Sequence, residues 1–595
     1  MMKNRNDIPQ GEKWAVERIY PNQAAWEDDL ALVPGLLEQA LAWEGRMNEG
    51  WQAVRDFLQA EEKLSRLVDK LYLYAAMRQD EDNNDPEFQA MRSRIETLAV
   101  EANARLSWFG PQLLALPEEQ MQSYLEQPEL ALYRKLLEDI LRERPHVLSA
   151  AEERLLAATG EMGGAFHNIY SLLNDADLPL PSIEGSDGQP LQLSHGNYVP
   201  LLRNADRALR ERAFHAMYQT YAKLGNTIAG LYAASVKKDN FYAQAQRYDS
   251  ALAASLFGDA VPEEVYTQLI ATVRAHQPDM AEYLRRRKAL LGLDELHMWD
   301  IYVPLFPELK LDFTWEQTKS IVLQALSPLG RQYVSDLRAG LENRWCDVWE
   351  TKGKTSGAYS SGVYDSEPYM LLNFQNDLNS VFTLAHEAGH SMHSYYTRKN
   401  QPYVYGDYRI FVAEVASTVN ETLLSDYLLA HADKKSEVRY LVNHYLEEAR
   451  ATVFRQTMFA EFELETHRRA AEGQALTADS LCQLYYQLNK DYFGDEVVLD
   501  EEIAWEWARI PHFYRPFYVY KYATGFSAAS ALAQGLIDPD EQKAAAARER
   551  YLGFLGAGST KDPIDLLRDA GVDMRTAEPV DRTLTMFGQL VRTLE

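Results

Sequence analysis

Cysteine is nearly absent from this chain: Cys346 and Cys482 are the two among 595 residues, far apart and in no metal-like spacing. That is not the pattern of a disulfide-stapled secreted scaffold or of a thiolate metal cluster, and reduced thiols are expected. Positive charge is scarce as well. Lys and Arg total 60 against 88 Asp and Glu, a formal net charge of −28 at pH 7, so no basic footprint for nucleic acid or an anionic membrane dominates. Long apolar runs are missing, and nothing approaches the roughly twenty residues needed to span a bilayer. The polar opening from Met1 to Pro9 has no apolar segment behind it, which gives a cytoplasmic expectation. Internal repeats and low-complexity segments are lacking too, so a solenoid is not expected.

What is present is the balance of a globular protein, with 46% hydrophobic and 25% charged residues. The length exceeds one simple core and predicts two or more packed regions. From Asn22 to Leu116 apolar residues recur at helical spacing, as in Trp51, Val54, Leu58 and then Leu64, Leu67, Leu71. The acidic break Asp80 to Pro86 reads as a solvated turn between two helices, with Pro86 opening the second. Leu178 to Gly188, where Pro, Asp and Gly cluster between short apolar pieces, predicts a small hairpin and a boundary. The expected division is an N-terminal, mainly helical region 1–200 with that hairpin near its end, and a second region 201–595. The helical pattern resumes after Asn204.

Between Trp345 and Phe374 the texture changes. Thr351 to Gly362 is rich in Gly, Ser, Thr and Lys and reads as a loop whose glycines allow flexing, and Tyr369 to Phe374 reads as a strand. Two readings of that strand stand: an exposed edge able to pair with an extended peptide through its main chain, or an ordinary buried strand.

Directly after it, Val381, Phe382, Leu384, Ala385 and Ala388 form the apolar stripe of a helix, capped among Asn376, Asp377 and Asn379. Within that stripe stand His386, Glu387 and His390. Four residues make about one helical turn, so both imidazoles point the same way and can share a tetrahedral Zn²⁺, with Glu387 beside the open position. Unpaired, such groups inside an apolar stripe are costly to bury. A third protein ligand is required. The metzincin pattern would place a histidine six residues after His390, where Tyr396 stands, and His393 is expected as a polar neighbour or a supporting group. Arg409 to Leu428 forms another helical segment in which Glu414 and Glu421 interrupt apolar positions. Glu414 is the candidate ligand; Glu421, two turns on, either accepts a hydrogen bond from a ligand histidine or lies at the surface.

His386-Glu387-Ala388-Gly389-His390 followed by Phe411-Val412-Ala413-Glu414-Val415-Ala416-Ser417 resembles the thimet-oligopeptidase-like zinc metallopeptidases, in particular their oligoendopeptidase F branch. The resemblance implies a mostly α fold, a large multi-helical ellipsoid with a deep substrate channel and a small β-sheet beside the zinc helix. It implies that 201–595 is the catalytic region, with one Zn²⁺ per chain on His386, His390 and Glu414 and Glu387 as general base. The implied substrates are short unstructured peptides cut internally. The family also uses a His- and Tyr-rich segment near its C-terminus, which Ile510 to Gly525 resembles: His512 and Tyr520 are the expected transition-state donors, with Tyr514 and Tyr518 near the substrate. The rival expectations are a helical zinc metallocarboxypeptidase and a catalytically silent peptide-binding protein.

Overall fold

The computed structural model describes residues 3–306 and 311–594. Helices make up most of it, and the strands among the described residues are short. The mostly α fold with a small sheet beside the motif helix is therefore what the chain forms. It divides into two compact units, each built from three separated stretches: Met1–Pro145, Lys310–Tyr427 and Leu532–Gly571 in the first, and His146–Leu309, Leu428–Ala531 and Val572–Glu595 in the second. The expected division near residue 200 does not coincide with a unit boundary. A reading along the chain sees changes of composition, whereas a unit is defined by stretches that return to each other from hundreds of residues away.

The first unit is organised on a long antiparallel pair, α1 (Trp51–Glu81) and α2 (Pro86–Leu106). Asp85 caps α2 by accepting from the Glu87 and Phe88 amides, and Pro86 takes the first turn, where its missing N–H costs nothing. The acidic break is thus the expected turn, but it is more than a solvated one. The Asn83 amide donates to Gly353 O (2.7 Å) and its side chain to Thr355 Oγ1 (2.8 Å). Gly353 sits at φ +78°, and a Cβ there would fall 2.0 Å from Asp82 Oδ1. Lys354, its side chain fully buried, pairs with Asp347 (2.8 Å) and donates to the Trp349 and Leu372 carbonyls. The beginning of the expected flexible loop is therefore tied down.

The same core runs from Trp14, Trp26, Leu64, Leu71 and Ile95 to Tyr369 and Leu371 of a three-stranded sheet. A hairpin of the second unit supplies β1 (Ser182–Glu184) and β2 (Pro190–Gln192); the sheet of the first unit consists of β3 (Cys346–Asp347), β4 (Tyr359–Ser361) and β5 (Tyr369–Leu371). Its order is β3-β5-β4, with β5 parallel to β3 and antiparallel to β4 in the register Tyr359↔Leu371, Ser361↔Tyr369. Tyr369 to Leu371 is consequently central and buried, so the second reading of that strand is correct. The edge role passes to β4, within the stretch expected as loop, and its residues are partly exposed. Three-residue strands carry too little alternation for a sequence to tell edge from centre.

In the second unit the expected hairpin is present, Ile183 pairing with Leu191. Asp206 caps the helix Arg207–Lys223, where the helical pattern was expected to resume. Tyr232 stacks on Phe462 (5.8 Å, 13°) and lies near Trp507 and Phe513, an aromatic core gathered from distant helices. Cys346 and Cys482 are both free. No helix among the described residues is long and apolar enough to cross a membrane.

Candidate metal centre

The motif lies on α3 (Leu378–Asn400). Of the possible caps, Asp377 serves: it accepts from the Ser380 amide (2.8 Å) and the Ser380 hydroxyl (2.6 Å). Val381, Leu384, Ala385, Ala388 and Met392 are buried and fix which face turns inward. The opposite face of the same turns carries His386 and His390, partly exposed.

Glu414 arrives on α4 (Ile410–Ala430), and the crossing of the two helices depends on Gly389. A Cβ at Gly389 would sit 2.5 Å from Ser417 Cα and 2.6 Å from Ala416 O, so the backbones touch where a side chain would separate them. The contact is fastened by Asn420, wholly buried, whose side-chain amide donates to the Ala385 carbonyl (3.0 Å). The Gly between Glu387 and His390 is therefore what lets a carboxylate from a second helix reach the histidines. Gly389→Ala is expected to leave the helical content intact and to weaken zinc binding about tenfold or more, since such overpacking costs about 1–3 kcal/mol. Zinc titration with circular dichroism checks this.

The result is a close triad. His386 Nε2 lies 3.2 Å from His390 Nε2, and each lies 3.4 Å from Glu414 Oε2. Ligands about 2.0–2.1 Å from a tetrahedral zinc are separated by about 3.3–3.4 Å, so the three atoms match one face of such a tetrahedron. These residues are the group of His, Cys, Asp and Glu that could hold a metal ion among the described residues. Glu414 remains substantially exposed.

Around the triad, Glu421 Oε1 accepts from His386 Nδ1 at 3.3 Å, the supporting contact considered for it. Burial acts to lower the His386 pKa, but the carboxylates of Glu414 and Glu421 outweigh it and push it up to about 10. Hydrogen bonds from His386 and His390 hold the Glu414 carboxyl well below the usual carboxylate range. Glu387 is nearly buried, and desolvation pushes its carboxyl up against the opposing pull of the two imidazoles. His393 is not part of the group. It stacks on Tyr408 (3.7 Å, 2°), fully buried, and burial pushes it down to about 3, a neutral ring packed in the core.

The remaining candidates belong to the second unit. His512 and Tyr518 are partly exposed and stack with centroids 6.2 Å apart. Tyr520 is wholly buried against Tyr266 (5.1 Å), and Tyr514 is buried against Tyr170 (4.4 Å). Neither ring is accessible to a substrate, in contrast to the expectation for both. The third accessible ring of the cluster is Tyr522, 6.1 Å from His512 and 5.6 Å from Tyr518. The start of the helix was the missed signal: it begins at Tyr520, whose ring turns inward, while Tyr518 precedes the helix and meets Tyr522 of its first turn. The turn before it is held by Glu463, whose Oε1 accepts from the Phe517 amide (3.0 Å) with Phe517 at φ 54°.

Residues 200–586 match the family model described as Peptidase family M3, and residues 112–179 that described as Oligopeptidase F. The chain is 44% identical over 595 residues to Oligopeptidase PepF of Bacillus subtilis (strain 168), covering all of this chain and 88% of that protein. It is 38% identical over 596 residues to Group B oligopeptidase PepB of Streptococcus agalactiae serotype III (strain NEM316), covering all of this chain and 98% of that one. Oligoendopeptidase-F from Enterococcus faecium superposes with a TM-score of 0.73 at 35% identity, over 98% of this chain and 99% of that structure.

Proposed function

We propose that this chain, which belongs to peptidase family M3, is a zinc-dependent oligoendopeptidase that cuts internal bonds of short, unstructured peptides in the cytoplasm. The observation that carries the reading is the triad of His386, His390 and Glu414, whose mutual distances of 3.2 to 3.4 Å suit zinc. When bound, zinc acidifies a water and polarises the scissile carbonyl. Glu387 takes the proton of the attacking water and delivers it to the leaving amine, a task favoured by a carboxyl whose pKa is raised toward the working pH. Glu421 holds His386 in the tautomer that presents Nε2. The exposed edge of β4, which leans on α3 through Ser360 Oγ and Ser391 Oγ (2.7 Å), pairs with the main chain of an extended substrate and so accepts many sequences.

His512, with Tyr518 and Tyr522, donates to the oxyanion that develops in the transition state. His512→Ala and Tyr522→Phe are expected to lower kcat by about 10²–10³ with little change in KM, while Tyr520→Phe leaves kcat near wild type. Steady-state kinetics on one peptide separates these, and a pure KM effect in the first two would make them positioning groups.

The function is tested by digesting a peptide library amidated at the C-terminus, with and without chelator, and reading the products by mass spectrometry. Internal cuts that vanish with chelator are expected. In a parallel digestion of the same library with free C-termini, stepwise loss of C-terminal residues, with the amidated library left uncut, would make the protein a carboxypeptidase instead.

A further inference from the structure

A cleft of about 420 Å³ opens in the first unit, lined by Glu61, Asp69, Tyr133, Tyr364, Arg398 and Tyr403 among apolar side chains. Glu61 and Asp69 stand about two turns apart on α1, and Arg398 lies in the last turn of α3, eight residues or about 12 Å along the axis beyond His390. Tyr403 belongs to the turn that leads from α3 to α4. Two glycines shape the wall: a Cβ at Gly406 would fall 2.5 Å from the Tyr364 ring, and one at Gly362 would fall 2.7 Å from Arg398 Nη1. That room lets Tyr364 pack edge-to-face on Tyr403 (5.5 Å) and Arg398 donate to the Gly362 carbonyl (2.8 Å).

Charge in the cleft is unbalanced. Four carboxylates, Glu61, Glu62, Asp69 and Asp407, line it against one guanidinium, that of Arg398. Arg66 reaches Glu62 at 3.4 Å, while its fork grips Asp365 at 2.8 and 2.5 Å. Glu61 accepts from the Ser65 hydroxyl (2.6 Å) and Asp69 from the Tyr403 hydroxyl (2.8 Å), and neither has an ion pair among the described residues. Burial pushes the Glu61 carboxyl up, and the charges of Asp69 and Glu62 add to it against the Ser65 hydrogen bond. Burial and Asp407 likewise push Asp69 up, against the pull of Tyr403 and Arg398.

Tyr133 marks the same place independently. It is 4% exposed, lines the cleft and feels the charges of Glu62 and Glu61, yet its hydroxyl has no hydrogen-bond partner among the described residues. A phenol oxygen accepts as well as donates, so it can take a hydrogen bond from an entering N–H.

We propose that this cleft binds an alkylammonium ion, either a short aliphatic diamine or the ammonium group of a peptide. Its N–H groups meet Glu61, Asp69 and the Tyr133 hydroxyl, its methylenes lie against Leu58, Leu136 and Val404, and the tyrosine rings suit a cation. A metal ion is the poorer match, because among the described residues three ligand atoms converge within 4.8 Å at His386, His390 and Glu414 and not here. Charges carried on a flexible chain can reach carboxylates that stand apart. The occupant ties α1 to the turn that precedes α4.

The test is calorimetry of the full, zinc-loaded chain with cadaverine at low salt. One saturable site is expected, and 1,5-pentanediol, of the same length without the charge, should give none. Glu61→Gln and Asp69→Asn keep the volume of the side chain; without amine each should unfold at or above the wild-type temperature, since a like-charge repulsion is gone, and each should weaken cadaverine about tenfold or more. Tyr133→Phe should weaken it by a smaller factor. Displacement of cadaverine by alanyl-alaninamide but not by its N-acetyl form assigns the cleft to peptide ammonium groups, and displacement by neither assigns it to free amines. No saturable heat with cadaverine, equal binding of pentanediol, equal displacement by both dipeptides, or wild-type affinity in both carboxylate variants would each overturn the proposal.

Discussion

Glu387→Gln retains zinc and loses peptide cleavage by about 10²–10⁴-fold, the range that positioned acid–base catalysis contributes. Glutamine preserves the volume of a nearly buried side chain on a face packed by Val381, Leu384 and Ala388, so the helix and the triad persist. What is removed is the ability to take and return a proton. Because Glu387 is not a member of the triad, zinc content should stay at the wild-type level. Elemental analysis and kcat on one peptide, measured on the same preparation, give the two numbers. Loss of zinc in this variant would place Glu387 among the ligands, and wild-type turnover would remove it from the reaction.

Glu414→Ala weakens zinc binding by more than about 100-fold, whereas Glu421→Ala weakens it about 10- to 100-fold, as supporting groups do. The two glutamates sit on one helix, yet only Glu414 brings an oxygen within 3.4 Å of both Nε2 atoms; Glu421 reaches the far nitrogen of His386 at 3.3 Å. The reverse order in a zinc titration would exchange their roles. A pH dependence follows from the same pair of contacts. His386, pushed up to about 10, is protonated at neutral pH, and zinc has to displace that proton. Affinity should therefore rise about tenfold per pH unit below 10 for the one proton released, and calorimetry in buffers of different ionisation enthalpy should count close to one. The sign is fixed: acid favours the imidazolium and expels the metal.

Much of this centre is legible in the sequence because it depends on local geometry. The i, i+4 spacing of His386 and His390 and the carboxylate spacing along α4 are properties of single helices, and the structure brings the corresponding atoms together. Gly389 was not legible in the same way. Its importance comes from the backbone of α4 at Ala416 and Ser417, a contact between segments that no periodicity encodes. The strand Tyr369 to Leu371 illustrates a similar limit: its existence is local, but its central place in the sheet is decided by Cys346 and Asp347 on one side and Tyr359 to Ser361 on the other. Tyr520 failed for a different reason. Alternating tyrosines at 518, 520 and 522 cannot be ranked until the start of the helix is known, and one residue of register decides which ring enters the core. The compact units, each returning from three stretches, lie beyond any linear reading.

The most direct measurement is the rate at which zinc-stripped protein cuts a peptide blocked at both ends, as zinc is added in steps and bound metal is counted. The expected result is no cleavage at zero zinc, a linear rise at an internal bond, and a plateau at one zinc per chain. Undiminished cleavage by protein that elemental analysis finds free of metal would contradict the metal centre of His386, His390 and Glu414 as the seat of the reaction.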